Sequence, residues 1–169
     1  MTASKRSNLV GSAIFLVVAP GTLSGLMPWW ISWWHLAPPF FGFFVLRWLG
    51  WVFIAVGILL LLDSFARFAL QGLGTPAPIK PPVRLVVTGA YRYVRNPMYV
   101  ANLALIVGQA LVLGNIELIA YAAVAALGFH LFVVLYEEPA LARKFGTEYA
   151  TLCRHVHRWL PRLTPWDSA

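Results

Sequence analysis

Two stretches of the chain hold most of the side chains able to do chemistry. The first is Thr88-Gly89-Ala90-Tyr91-Arg92-Tyr93-Val94-Arg95-Asn96-Pro97-Met98-Tyr99, which gathers two guanidinium groups and three phenols. The second is the adjacent acidic pair Glu137-Glu138, followed by Pro139. Guanidinium forks suit carboxylate or phosphate, and phenol faces suit a base or a cation. Paired carboxylates suit a soluble, cationic ligand. Each stretch also has a plain structural account. The basic one would contact anionic headgroups, with Asn96 as N-cap and Pro97 as first helical residue. The acids would be tolerated if Pro139 opened a new helix and left them at its favourable N-terminus. At the level of residues both accounts stand.

Single polar residues within apolar runs are the next candidates, because polar groups in hydrocarbon are costly. Asp63 and Arg67 are four apart and can pair on one helix face; one of them facing a polar pocket is the alternative. Asn102 and Gln109 share a face with Gly108, and Ala122 and Ala126 are small residues at helical spacing, both patterns of interhelical packing. His130 lies two turns before Glu137 on roughly the same face, as an interior hydrogen-bonding residue or a site residue. The single cysteine, Cys153, excludes an intramolecular disulfide. No metal site is expected.

The elements that must position these groups follow from composition. Of 169 residues, 60% are hydrophobic and 11% charged, far from the ~25% charge of soluble domains; a water-soluble globule of this size could not cover its surface. The net charge of +7 sits in short basic segments between apolar runs, the pattern of membrane topology and not of nucleic-acid binding. A spanning helix needs about 20 apolar residues. The reading is therefore an all-α integral membrane protein with four transmembrane helices, at about 9–27, 43–70, 97–113 and 116–136, plus a cytoplasmic amphipathic C-terminal helix. The first is read as a retained span, bent at Pro20, in preference to a cleaved signal peptide. Gly114-Asn115 makes the last two an antiparallel hairpin. Eleven of the thirteen Lys and Arg residues fall at the N-terminus, in the 71–96 connection or in the tail, which places both termini in the cytoplasm and, in a bacterial cell, the protein in the inner membrane. Arg47 and Arg67, near opposite ends of span two, would snorkel to the interfaces. Trp29-Trp30-Ile31-Ser32-Trp33-Trp34 fits an external aromatic belt.

Taken together, the two stretches resemble the isoprenylcysteine carboxyl methyltransferase and phospholipid methyltransferase superfamily of integral membrane enzymes. The resemblance rests on Gly89-x-Tyr91-Arg92-x-x-Arg95-Asn96-Pro97-Met98-Tyr99, then Glu137-Glu138-x-x-Leu141-x-x-x-Phe145-Gly146-x-x-Tyr149, continuing to Arg158-Trp159-Leu160-Pro161. It covers residues 85–161, read as the methyltransferase core of a single membrane domain. The resemblance implies S-adenosylmethionine bound at the cytoplasmic end of the last helices and a lipophilic acceptor entering from the bilayer. It implies that Tyr91, Arg95, Asn96, Pro97 and Tyr99 line the cofactor side, that Glu137 and Glu138 contact the cofactor, and that Phe145, Gly146 and Tyr149 belong to the tail helix closing over it. Many relatives carry His at the position of Asn96; Leu152 and His157 also depart from the usual pattern.

Methyl transfer from a sulfonium is an in-line displacement, so the enzyme's task is positioning and charge arrangement. Arg92 or Arg95 would hold the cofactor carboxylate or an acidic acceptor. A carboxylate acceptor needs no base, whereas a protonated amine does, and His130 or an acid would then serve. Two rival readings are an NADPH-dependent membrane lipid reductase and a non-catalytic membrane protein. The acceptor and the oligomeric state stay open.

Overall fold

In the computed structural model, residues 18–71 and 84–167 are described; they form helices and turns, and no strand occurs among them. Helix α1 covers 18–32, α2 Val45–Gln71, α3 Pro97–Leu113, α4 Ile116–Phe132 and α5 Glu138–His155. A π turn, Val133–Glu137, joins α4 to α5 without a break, and 3-10 turns lie at Phe40–Gly42 and Gly89–Arg92.

Two helical stretches, Val45–Arg67 and Ile116–His155, are long and apolar enough to cross a membrane, and Pro97–Leu113 is a shorter apolar helix. The expected first span, 9–27, lies half outside the described residues. Its described part runs on through Ser32, so Trp29 and Trp30 stand on the helix and only Trp33 and Trp34 form the turn. On α2 the side chains of Trp48, Trp51, Val52, Val56, Leu59 and Leu62 point outward. That apolar exterior suits lipid rather than water.

Helices α2 and α3 pack closely because both present glycine where they cross. A Cβ on Gly50 would lie 2.7 Å from the Gly108 carbonyl oxygen, and one on Gly108 would lie 2.8 Å from the Gly50 oxygen. Below this crossing, Leu61, Phe65 and Ala101 form a buried cluster with Met98 and Leu105. The turn into α4 is the expected hairpin: Gly114 is left-handed, and Asn115 caps α4 by accepting a 2.8 Å bond from the Leu118 N–H.

Prolines set the irregular turns, though not where the sequence suggests. The helix is unbroken at Pro20, and the irregularity is instead the π turn Thr22–Leu26, two residues ahead of Pro28. Glu137 and Glu138 likewise do not sit at a fresh helix start. Glu137 ends the π turn Val133–Glu137 and Glu138 follows it, with Pro139 two residues past its end. A proline inside a helix has no N–H to give, and its ring crowds the carbonyl four residues back. Widening the preceding turn relieves that crowding and keeps the helix running. Thus the Met27 N–H reaches back to Thr22 O, and the Glu138 N–H to Val133 O. In α1, neighbouring helices take up carbonyls of this turn: Gln109 Nε2 donates to Ser24 O at 2.7 Å and the Tyr121 hydroxyl to Leu23 O at 2.9 Å. The Ser24 hydroxyl donates to Asn102 Oδ1 at 2.7 Å. The polar face of α3 is therefore a packing seam.

The Gly50–Gly108 crossing gives a direct test. Alanine at either position is expected to destabilise the protein by about 1–3 kcal/mol, the usual cost of overpacking, seen as a lower melting temperature in detergent. Alanine at Gly128, with open space around its Cβ, is expected to leave that temperature nearly unchanged.

Candidate functional site

The site assembles where the start of α3, the α4–α5 junction and the chain's tail meet. Its first stretch is held in place from α2. Asp63 Oδ1 pairs with Arg67 Nε at 2.7 Å, and Asp63 Oδ2 accepts the Ala90 N–H at 3.1 Å. Gly89 lies flat against Arg67, with φ of +55°; a Cβ there would come within 1.7 Å of Arg67 Nε. Only glycine takes this backbone conformation at no cost and also lets the guanidinium pass. The ion pair anticipated from the sequence is thus also the anchor of the 3-10 turn carrying Tyr91 and Arg92.

The two arginines of this stretch turn apart. Arg92 Nε donates to Trp166 O at 3.1 Å, and its guanidinium pairs with Asp167. Arg95 points inward, with Nη1 3.3 Å from Glu138 Oε1 and in contact with Cys153 Sγ. Arg95 Nε is buried and, among the described residues, has no hydrogen-bond partner. Tyr91 lies near both Glu137 and Asp63; burial first, and then those charges, push its phenol well above the ordinary range, so it stays a donor. The Tyr99 hydroxyl donates to Glu137 Oε2 at 2.9 Å. Asn96 occupies the N-cap position but makes no capping bond, contrary to expectation. Its side chain is spent elsewhere: Nδ2 donates to Arg158 O at 3.2 Å.

The tail is laced to this stretch through the backbone. The Arg95 N–H donates to His157 O at 2.9 Å, Arg162 N–H to Tyr93 O at 2.9 Å and Trp166 N–H to Arg92 O at 3.0 Å. Helix α5 reaches this position by bending at Gly146 (φ 51°, ψ −119°). Its Tyr149 and Leu152 then pack with Val156, Phe145, Leu85, Val87 and Trp166. Pro97 is buried at the start of α3.

The two acids are differently served. Arg158 grips Glu138 with both prongs, Nε to Oε1 at 2.7 Å and Nη2 to Oε2 at 2.8 Å, and Arg95 adds a third contact. Burial opposes ionisation of Glu138, but the Arg158 hydrogen bonds and the nearby positive charges outweigh it and hold the carboxyl below its ordinary value. Among the described residues Glu137 has only the neutral Tyr99 hydroxyl; burial raises its carboxyl above the ordinary range despite that bond, and Glu138 adds to the rise. Helix direction supplies the difference. Successive residues point about 100° apart, so Glu138 meets Arg95 and Arg158 while Glu137 meets Tyr99.

Arg158 and Trp159 are the residues that sequence reasoning left without a role. Arg158 completes the acid clamp, while Trp159 covers a cavity of about 370 Å³ lined by Val100, Leu103, Ala126 and His130. Trp159 Nε1 donates to His130 Nδ1 at 3.2 Å, and its ring meets Tyr99 edge-on at 6.4 Å. Their place in the tail motif was the one signal available.

The Glu138 clamp predicts an acid-sensitive tail. Because the folded-state value is lowered, the stabilisation is present above the unfolded carboxyl's value and lost as pH falls through the folded one. Proteolysis of the tail in nanodiscs is expected to accelerate below about pH 4, since ordinary Glu titrates near 4.3. Glu138→Gln, which weakens charge-assisted bonds of about 1.5–3 kcal/mol each, is expected to accelerate it already at neutral pH.

Comparison with known proteins agrees with this architecture. Searches of curated proteins and of solved structures return no significant match. The family model described as phospholipid methyltransferase matches residues 45–148, more than half of the chain, from α2 through the acidic pair to the Gly146 bend. Two helical stretches able to cross a membrane fit a family of membrane methyltransferases. The chain belongs to the phospholipid methyltransferase family.

Proposed function

We propose that this protein is an integral membrane methyltransferase that takes its methyl group from S-adenosylmethionine and delivers it to a lipophilic acceptor. In this reading four helices span the bilayer with both termini in the cytoplasm. The site then lies at the cytoplasmic edge, where a soluble donor and a bilayer-borne acceptor can meet. The cavity between α3 and α4, walled by Val100, Leu103 and Ala126, is of a size and lining suited to an apolar tail.

One observation carries the donor assignment. Among the described residues no guanidinium reaches Glu137, while Arg95 Nε is a buried donor without an acceptor. A buried carboxylate lacking a cation and a buried N–H lacking an acceptor are each costly. The amino-acid end of S-adenosylmethionine offers the complement of both, an ammonium for Glu137 and a carboxylate for Arg95. When bound, the donor supplies an electrophilic methyl on a sulfonium; the sulfur leaves as a neutral thioether. The chain's residues have positional and electrostatic work to do. Glu138, saturated by Arg95 and Arg158, fixes the guanidinium that faces the donor. Tyr99 orients Glu137, and Tyr91, kept protonated, adds a hydroxyl beside it. Arg92, turned to the tail, holds the closing segment.

Calorimetric titration of S-adenosylmethionine and S-adenosylhomocysteine into nanodisc-embedded protein tests this. Glu137→Gln is expected to bind both at least about tenfold more weakly, the loss of one charge-assisted hydrogen bond, with an unchanged melting temperature. Glu138→Gln is expected to lose both affinity and thermal stability. Parental affinity in a folded Glu137→Gln variant would overturn the assignment, as would failure of the folded parent to bind either ligand.

A further inference from the structure

The tail that grips the acidic pair also carries apolar side chains turned away from the protein. Leu160 is 74% exposed and Leu163 is 100% exposed. Their depth is set by the residue before them. Trp159 lines the α3–α4 cavity with Val100, Leu103, Ala126 and His130, and its Nε1 donates to His130 Nδ1 at 3.2 Å. Val100 and Leu103 stand past Pro97, the first residue of α3, by roughly 5 and 9 Å at the rise of an α-helix. With the bilayer placed as proposed above, Trp159 is therefore level with the boundary between headgroups and acyl chains, the depth that tryptophans and interfacial apolar side chains take. On α4, Leu127 and Leu131 beside His130 are exposed as well, so this side of the hairpin is apolar toward its surroundings.

The backbone of the segment suits that depth. The Arg162 N–H donates to Tyr93 O and the Trp166 N–H to Arg92 O, while Pro161 and Pro165 have no N–H to satisfy. Backbone donors left open are costly in a membrane, and these four positions leave none. Between the two anchors, Leu163, Thr164 and Pro165 are exposed and form a loop fixed at both ends. The Arg162 side chain bonds His155 O, and the His155 ring stacks on Trp166 at 5.3 Å between centroids, which brings the end of α5 against this loop. Charge is arranged to match. Arg158 is taken up by Glu138 and Arg92 by Asp167. Arg154 and Arg162 meet only neutral oxygens, Thr151 Oγ1 and His155 O, and among the described residues neither pairs with an acid. Two guanidinium groups without counter-ions beside two outward leucines complement a surface that is anionic at its rim and apolar beneath.

We propose that the tail is a membrane-docking element, in which Leu160 and Leu163 enter the cytoplasmic leaflet while Arg154 and Arg162 bind the phosphates of anionic phospholipids. The leaflet thereby holds the tail, and with it Arg158, against Glu138. The lipid acts here as a docking surface and not as a methyl acceptor. The inference rests on the bilayer placement given under the proposed function and is independent of methyl transfer.

Two measurements on nanodisc-embedded protein decide it. The first is hydrogen exchange of residues 156–167 in discs of phosphatidylcholine and in discs where phosphatidylglycerol replaces part of it. Exchange is expected to be at least roughly fivefold slower with phosphatidylglycerol, the effect of one basic residue near an anionic surface, and high salt is expected to remove the difference. The double variant Arg154→Gln, Arg162→Gln is expected to lose it without salt. Equal exchange in the two kinds of disc overturns the proposal. So does equal protection by inorganic phosphate added to phosphatidylcholine discs, the mark of a free-anion site. The second measurement places a bimane label at Leu163→Cys, in a Cys153→Ala background, with lipids brominated along the acyl chain. Quenching is expected there, as at Leu59→Cys on the exposed face of α2. Quenching at Leu59→Cys alone overturns this inference, whereas quenching at neither position overturns the bilayer placement with it. S-adenosylmethionine titrated into the same discs tests the methyltransferase reading separately. Absent donor binding with a docked tail defeats that reading alone, and donor binding with an undocked tail defeats this one alone.

Discussion

Glu138 is the point through which the site is held together. Its carboxylate is shared by Arg95 at the start of α3 and Arg158 in the tail, while its backbone belongs to the helix that continues α4. Three segments far apart in sequence therefore converge on two oxygens. Partly buried, such a cluster is stable only while charges and hydrogen bonds are both satisfied. Removing the carboxylate leaves two guanidinium groups facing each other, whereas removing either arginine leaves one ion pair. The backbone bonds from residues 92, 93 and 95 to the tail reinforce it and share its fate.

While two arginines grip Glu138, Glu137 meets the Tyr99 hydroxyl and, among the described residues, no guanidinium. The π turn produces this division. If the helix ended at Pro139, both acids would lie in a frayed terminus open to water. Instead the widened turn carries the helix past the proline, and each acid keeps a defined direction. Widened turns of this kind are frequent at functional sites. The second one here, in α1, does a different job by offering Leu23 and Ser24 carbonyls to Tyr121 and Gln109. The same local device serves packing on one side of the molecule and a candidate site on the other.

The cavity beside the clamp links the two halves of the proposed reaction. Tyr99 touches Glu137 on one side and packs against Phe129 and Trp159 on the other. A side chain that bonds Glu137 therefore also packs against Trp159, which lines the cavity. The hairpin of α3 and α4 thus sets the distance between the two proposed subsites. It is anchored to α2 by the Gly50–Gly108 crossing.

Much of this was legible in the residues themselves. Apolar runs long enough for helices, the Gly114-Asn115 turn and the Asp63–Arg67 pair follow from spacing that one helix or one turn decides locally. The bounds of α3 agree with the sequence, and α4 starts where expected, because a proline and an asparagine mark those starts unambiguously. The two motif stretches could be named as neighbours only through resemblance, since no local rule joins residue 95 to residue 138. Other features depended on the tertiary structure. Pro139 reads as a helix start until packing on both sides makes a widened turn cheaper than a break. Asn96 reads as a cap until the tail supplies the Arg158 carbonyl. Arg92 and Arg95 are indistinguishable by type and differ only in which neighbour each meets. The same holds for Glu137 and Glu138, whose roles separate because adjacent residues of a helix face different partners, and only the fold says which partners those are.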